Sequence, residues 1–209
     1  MEKNPKGWFT RGYLPHLDSF DLTQMITFRL ADALPQDVIL RITNDREFKN
    51  NKVKLKYIDT SMDAGFGACY LKAPQVASIV ENALWFFHRD RYNLIAWVVM
   101  PNHVHVLVDM FNNFQINQIV HSWKSYTSKQ INKQLGRTGV LWQREYWDRY
   151  IRDEVHFSRA IEYINMNPVK AGLVSNACDW LFSSARFYTM QQSEEYPIGS
   201  AGDPLARDF

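Results

Sequence analysis

The sequence predicts an α+β protein whose sheet is antiparallel at least in part, with helices packed on one face. Three observations carry that expectation. The apolar run Leu94 to Met100, the turn pair Pro101-Asn102 and a second apolar run from His103 to Met110 read as a β-hairpin. Helical periodicity occurs both before and after this hairpin. The chain has 209 residues, 46% hydrophobic and 22% charged, which suits one folded domain with a real core.

Taken in order, Met25-Ile26-Thr27-Phe28-Arg29-Leu30 is β-branched and aromatic enough for a strand, and Pro35 closes the segment after it. Residues 36–62 are polar and basic, with Lys49, Lys52, Lys54 and Lys56 spaced among other residues, and read as a helical or irregular insertion. Pro74 suits the first turn of a helix over 75–89, in which Val76, Ile79, Val80, Ala83, Leu84 and Phe87 fall at helical spacing. After the hairpin, a helix is expected over 115–135, closed by Gly136, and then strand and loop over 141–152. A last amphipathic helix, 153–166, ends at Asn167-Pro168, because the residue before proline disfavours the α conformation. The expected organisation is a single domain over 1–190, with an insertion around 36–70 and an acidic, flexible tail over 191–209.

Composition excludes several classes. The longest apolar run, Leu94 to Met100, is far shorter than the roughly 20 residues of a membrane-spanning helix. The amino terminus, MEKNPKGWFTRGY, has no apolar segment of the secretory type. Cys69 and Cys178 form no disulfide framework and no CxxC pair, so a reducing cytoplasm is the expected compartment. The formal charge of +2 is small, but Ile119 to Gly172 holds nine Lys/Arg against five Asp/Glu. Aromatics interleave with these cations at Trp123-Lys124, Trp142-Gln143-Arg144, Tyr146-Trp147 and Arg149-Tyr150. Such a pattern can grip phosphates and stack unpaired bases, although most aromatic side chains are core.

The chemistry begins at His103-Val104-His105. On a strand, the two histidines share one face while Val104, Val106 and Val108 take the other. On a helix they would lie about 200° apart and could not share a ligand. Strand geometry therefore permits a two-imidazole clamp, which oxygen ligands could complete for Mg²⁺ or Mn²⁺. Alone, an H-x-H pair is as often two hydrogen-bonded histidines on a sheet. The sequence HVHVLVD lacks the H-x-H-x-D-H pattern of binuclear zinc hydrolases, and no H-E-x-x-H occurs.

In EVHFSRAIEYINMNPVKAG, Phe157, Ala160, Ile161 and Ile164 form a core stripe. His156, Arg159 and Tyr163 project elsewhere, and Asn167 follows Tyr163 by one turn, so both could reach one locus. A tyrosine hydroxyl, with a pKa of about 10, attacks poorly unless a cation stabilises the phenolate or the target is polarised. A metal on the histidines, bound to a phosphate oxygen, would polarise that target. On its own, Tyr163 reads more often as a packed helix residue.

The ordered set MPNHVHVLV, LWQREYWDRYIRD, EYINMNPVKAGLV and DWLFSSARFY resembles the REP-associated tyrosine transposases, relatives of the single-strand insertion-sequence transposases in the HUH nuclease superfamily. RGYLPHLDS and MITFRLADALP resemble the opening of that family, so the likeness runs from Trp8 to Tyr188. It implies the HUH transposase fold, a ferredoxin-like (RRM-like) antiparallel sheet with helices packed on it. It also implies His103 and His105 as metal ligands around a hydrophobic Val104, Asn167 as the amide completing the site, and Tyr163 as the nucleophile. Tyr126, Tyr146 and Tyr150 are rival tyrosines without an amide one turn later at a helix end. Trp180-Leu181 stands where the family often has Trp-Pro, and the acidic tail replaces a commonly basic end.

The resemblance implies a bacterial cytoplasmic, nucleoid-associated enzyme, a monomer or homodimer with no membrane partner. It would cleave and rejoin single-stranded DNA at repeated-palindrome hairpins through a 5′-phosphotyrosine, with Mg²⁺ or Mn²⁺. Lys124, Lys129, Lys133, Arg144, Arg149 and Arg152 are the expected phosphate contacts, and Trp123, Trp142 and Trp147 the expected stacking surfaces. Two alternatives use the same residues differently. A non-catalytic DNA-binding regulator would bind hairpins without chemistry, and a hydrolytic phosphodiesterase would leave no protein-linked intermediate.

Overall fold

A computed structural model describes residues 7–10, 15–18, 22–44, 48, 51–112 and 114–188. The expected tail, 191–209, lies outside the described residues. A two-stranded antiparallel ribbon, β1 (Gly7–Thr10) and β2 (Pro15–Asp18), precedes the main sheet. That sheet holds β3 (Thr23–Arg29), β4 (Tyr92–Val99), β5 (His103–Met110) and β6 (Trp147–Tyr150) in the antiparallel order β4-β5-β3-β6. Helix α3 (Pro74–Trp85) connects β3 to β4, and α4 (Ile116–Gln134) connects β5 to β6. The β-α-β-β-α-β succession with this order is the ferredoxin-like arrangement.

Strand β5 lies inside the sheet and is buried along almost its whole length. Val104, Val106 and Val108 point to one face, where Ile26, Phe28, Trp97 and residues of α3 and α4 form the main core. Leu107 points to the other face and joins Ala96, Val98, Met100, Ala160 and Ile164. Helices therefore cover two faces, not one. The two crossover helices share the first face, and the final helix α5 (Glu154–Lys170) covers the second. Both parities of a central strand are apolar or buried, so both need cover.

Two boundaries depart from expectation for local reasons. Helix α3 stops at Trp85, four residues early, and Arg89 takes a left-handed conformation (φ 66°) that turns the chain into β4. Helix α5 does not end at Asn167-Pro168 but carries Pro168 inside it and runs to Lys170. The missing proline N–H removes one ladder bond close to the helix end. The Ala171 N–H donates to the Asn167 carbonyl (2.9 Å) and the Leu173 N–H to the Pro168 carbonyl (2.9 Å), so the turn closes around it. Asn167 is consequently a buried helical residue rather than a frayed one.

The polar segment after Pro35 forms two helices, α1 (Gln36–Thr43) and α2 (Asn51–Asp63). Val38 and Ile42 of α1 meet Ile58 and Met62 of α2 in a small cluster of their own, beside Trp147 of β6. At the far edge of the sheet, residues 180–184 shield β4. The Val99 N–H donates to the Phe182 carbonyl (2.9 Å), Ser184 Oγ accepts from the Trp97 N–H (3.0 Å), and Trp180 Nε1 donates to the Val99 carbonyl (3.0 Å). An edge strand left open would invite pairing with another chain.

Candidate active site

The second face of the sheet carries polar groups where apolar ones would pack. His103 and His105 are fully buried, with ring centroids 4.8 Å apart. Each imidazole is anchored at Nδ1. His105 Nδ1 lies 2.7 Å from the hydroxyl of Thr27, its register partner on β3. His103 Nδ1 lies 2.7 Å from Asn102 Oδ1. The Asn102 amide is itself fixed, because its NH₂ donates to the carbonyls of Met62 (3.1 Å) and Phe66 (3.0 Å) at the end of α2. Its Oδ1 therefore accepts from the imidazole, Nδ1 of His103 carries the proton, and Nε2 is left with a lone pair.

Nε2 of both histidines is buried without a hydrogen-bond partner. Burial lowers the His105 pKa to about 3, and burial followed by the neighbouring His105 lowers His103 well below the ordinary imidazole value. Both are neutral near pH 7, as metal-ligating imidazoles must be. Buried polar atoms without partners are rare, and each asks for an explanation.

Helix α5 adds two more such atoms. The Tyr163 ring packs against His105, with centroids 5.2 Å apart at 74°, and its buried hydroxyl has no hydrogen-bond partner. One turn on, the Asn167 side chain is 1% exposed, and its Oδ1 is likewise unpartnered. Lys170 Nζ sits 5.3 Å from the centre of the Tyr163 ring.

Two carboxylates of α2 complete the surroundings, and neither stood out in the sequence. Asp63 Oδ1 is 3.7 Å from His103 Nε2. Asp59, one turn earlier, faces the Tyr163 hydroxyl closely enough to interact but not in hydrogen-bonding geometry. Burial raises the Asp59 pKa to about 7 and the Asp63 pKa to about 6. Burial, then the fields of Asp59 and Asp63, push the Tyr163 hydroxyl far above its ordinary value, while Arg149 on β6 works in the opposite direction. The spacing Asp59-x-x-x-Asp63 was readable, but a segment open to helical or irregular readings gave it no face.

The donor chemistry suits a divalent ion: two neutral imidazoles side by side and, on α5, an amide oxygen are buried and unpartnered and offer lone pairs with no competing protons. Among the described residues no ready-made trio of His, Cys, Asp or Glu is gathered, so the two histidines need a neutral oxygen or an approaching carboxylate to complete a site.

The comparisons with known proteins agree with this geometry. The family model described as "Transposase IS200 like" matches residues 75–167, which span the histidines, Tyr163 and Asn167. A REP-associated tyrosine transposase of Escherichia coli is 31% identical over 126 residues, covering 60% of this chain and 73% of that protein. A candidate REP-associated tyrosine transposase of Haemophilus influenzae is 30% identical over 123 residues, covering 54% of this chain and 69% of that protein. The chain belongs to the REP-associated tyrosine transposases, a family of DNA-cleaving and strand-transferring enzymes. A solved REP-associated tyrosine transposase bound to a REP hairpin shares the fold, with a TM-score of 0.53 at 22% identity over 93% of this chain and 92% of that one. No helix among the described residues is long and apolar enough to cross a membrane.

Within this transposase, the residues expected to contact DNA separate. Trp123 and Trp142 are core, not stacking surfaces. Trp123 is 2% exposed, packs on Phe28 and donates to the Tyr92 hydroxyl, while Trp142 is 4% exposed and donates to Thr127 Oγ1. Lys124 donates to the carbonyls of Gln143 and Arg144, pinning that loop to α4, and burial lowers its pKa to about 8. Trp147 is half-buried against the α1–α2 cluster. Lys129 and Lys133 are exposed on α4, behind the sheet from Tyr163. Arg144, Arg149 and Arg152 are exposed, and Arg149 lies opposite Met25 on the face that holds the histidines. Of the rival tyrosines, Tyr126 is exposed on α4 and Tyr146 is buried in the main core.

Proposed function

We propose that this protein cleaves and rejoins single-stranded DNA at repeated-palindrome hairpins through a 5′-phosphotyrosine intermediate, acting on chromosomal DNA in the cytoplasm. The observation that carries the reading is the Tyr163 ring 5.2 Å from the His105 ring, with the hydroxyl and both Nε2 atoms buried and unpartnered. A set of orphaned donors and acceptors is costly in a resting fold and is explained if a ligand satisfies it.

His103, His105 and Asn167 would hold a divalent ion, Mg²⁺ or Mn²⁺, which supplies Lewis-acid polarisation of the scissile phosphate. Tyr163 Oη attacks the phosphorus in line. The phenolic O–P bond forms, the P–O3′ bond breaks, and the 3′-oxygen leaves and takes a proton from water to become a hydroxyl. Asp59, which faces the phenol, would receive its proton once the pair closes to hydrogen-bond distance. Attack of a 3′-hydroxyl on the phosphotyrosine reverses the step with no external energy source. Arg149 on the same sheet face offsets the acidic field around Tyr163 and offers a phosphate contact.

Incubation of the protein with an end-labelled hairpin oligonucleotide and Mn²⁺, followed by a denaturing gel, tests the reading. Wild type is expected to yield a covalent protein–DNA band, and Tyr163→Phe to lose it completely while retaining hairpin binding. Binding without any covalent band in wild type would favour a non-catalytic regulator, and released product with no protein-linked band a phosphodiesterase. A persistent band in Tyr163→Phe would assign the nucleophile elsewhere.

A further inference from the structure

We infer that Asp63 is a ligand of the same divalent ion, so that the site is two imidazoles, an amide and a carboxylate brought in by α2. The inference rests on the metal reading above and adds to it a residue from outside the sheet and α5.

His103 is fixed in one tautomer. Its Nδ1 proton is assigned by the anchored Asn102 amide, so Nε2 presents only a lone pair. The atom it faces is Asp63 Oδ1, 3.7 Å away, buried and also without a hydrogen-bond partner. A protonated carboxyl on this lone pair would close to roughly 2.6–3.0 Å, and 3.7 Å is no hydrogen bond. Two lone pairs left facing each other across that gap repel unless a cation lies between them. Two ligands each about 2.1 Å from one ion stand roughly 3.0–3.6 Å apart for angles between octahedral and trigonal, so a closure of a few tenths of an ångström brings the 3.7 Å gap to one an ion spans.

The placement is built into the fold. Asp63 is the last residue of α2, and the Met62 and Phe66 carbonyls on either side of it take the two protons of Asn102. The residue that sets the tautomer of His103 thus also holds the end of α2 against it. Asp63 faces His103, and among the described residues it does not yet form a ready-made trio with both imidazoles, so ligation calls for a small closing movement of the end of α2. Lys170 is the cation whose field reaches Asp63, and Asp59 lies one turn back on the same helix. A carboxylate oxygen added to imidazole and amide donors shifts the preference toward Mg²⁺ and Mn²⁺.

Mn²⁺ binding to metal-free full-length protein, followed without DNA by loss of the free-ion electron paramagnetic resonance signal, tests this. Asp63→Asn is expected to weaken Mn²⁺ binding at least about tenfold, since even outer-shell partners of metal ligands commonly cost that much. Glu162→Gln removes the same charge from an exposed position on α5 and is expected to stay within about twofold. Equal losses in both variants would reduce Asp63 to a general field effect and overturn the inference. Wild-type affinity in Asp63→Asn alongside lost binding in His103→Ala would overturn it while sparing the two-histidine site. Unchanged binding in His103→Ala and His105→Ala would remove the metal reading itself. If Asp63→Asn melts early in EDTA, Asp63→Glu keeps the carboxylate. Its expected affinity lies between wild type and a tenfold loss, and a full loss there would equally sink the assignment.

Discussion

The two faces of one sheet contrast sharply. On the side of α3 and α4, Val104, Val106 and Val108 meet Ile26, Phe28 and Trp97, and two buried indoles there are bonded: Trp97 Nε1 donates to Glu81 and Trp123 Nε1 to the Tyr92 hydroxyl. On the side of α5, the same strand presents His103 and His105 to Tyr163, and Nε2, Nε2 and the phenol oxygen all lack partners. One gathers apolar side chains around bonded indoles, and the other gathers unpartnered imidazole and phenol atoms beside one another, which is how a fold keeps its stability and its chemistry apart.

Stability measurements test that contrast. In EDTA, Ile26→Ala on the apolar face is expected to cost about 2–5 kcal/mol by urea denaturation, the range for emptying a fully buried aliphatic site. Asn167→Leu on the α5 face, equally buried, removes an unpartnered oxygen and is expected to stay within about 1 kcal/mol of wild type. A cost for Asn167→Leu matching that of Ile26→Ala would mean that the amide is held by the fold and not waiting for a ligand.

The pH dependence of stability, again without metal, carries the next effect. The imidazoles have folded pKa values lowered by burial, so their contribution is present above about 6.5 and is lost as pH falls toward the folded values, about 3 for His105. Asp59 and Asp63 are raised to about 7 and about 6, so the folded state takes up protons there and gains stability as pH falls from 7 toward 4. The two trends oppose each other between pH 7 and 4. An Asp59→Asn/Asp63→Asn double variant is therefore expected to lose stability more steeply than wild type on acidification from pH 7 to 5. Parallel profiles would show that Asp59 and Asp63 do not take up protons on folding in that range.

The smallest effect concerns DNA. Arg149→Ala, on the histidine face, is expected to weaken hairpin binding about tenfold and to lower the salt slope by about one. Lys129→Ala, on the exposed side of α4, is expected to change binding by less than about threefold. The reverse order would put the DNA track across α4.

Much of this was legible in the chain. The hairpin around Pro101-Asn102 and the alternation of histidines and valines follow from period two, so β5 coincides with the expected His103 to Met110 run. Tyr163 and the Phe157–Ile164 stripe follow from helical period. The aromatic contacts were not legible, because Trp123 and Trp142 sit beside cations in sequence whether their rings face solvent or core. Nor was the end of α5, because a proline with one lost bond can be carried by neighbouring carbonyls.

By itself, then, the sequence determined the local periodicities: which strand carries the imidazoles, which helix carries the phenol, and that the two histidines share a face. Only the tertiary structure decided what meets that face. The packing of α5 brings Tyr163 to His105, and the two hydrogen bonds from Asn102 to the end of α2 bring Asp63 to His103 across 40 residues. Contacts between elements far apart along the chain are set by which surfaces bury each other best, and no local spacing encodes that.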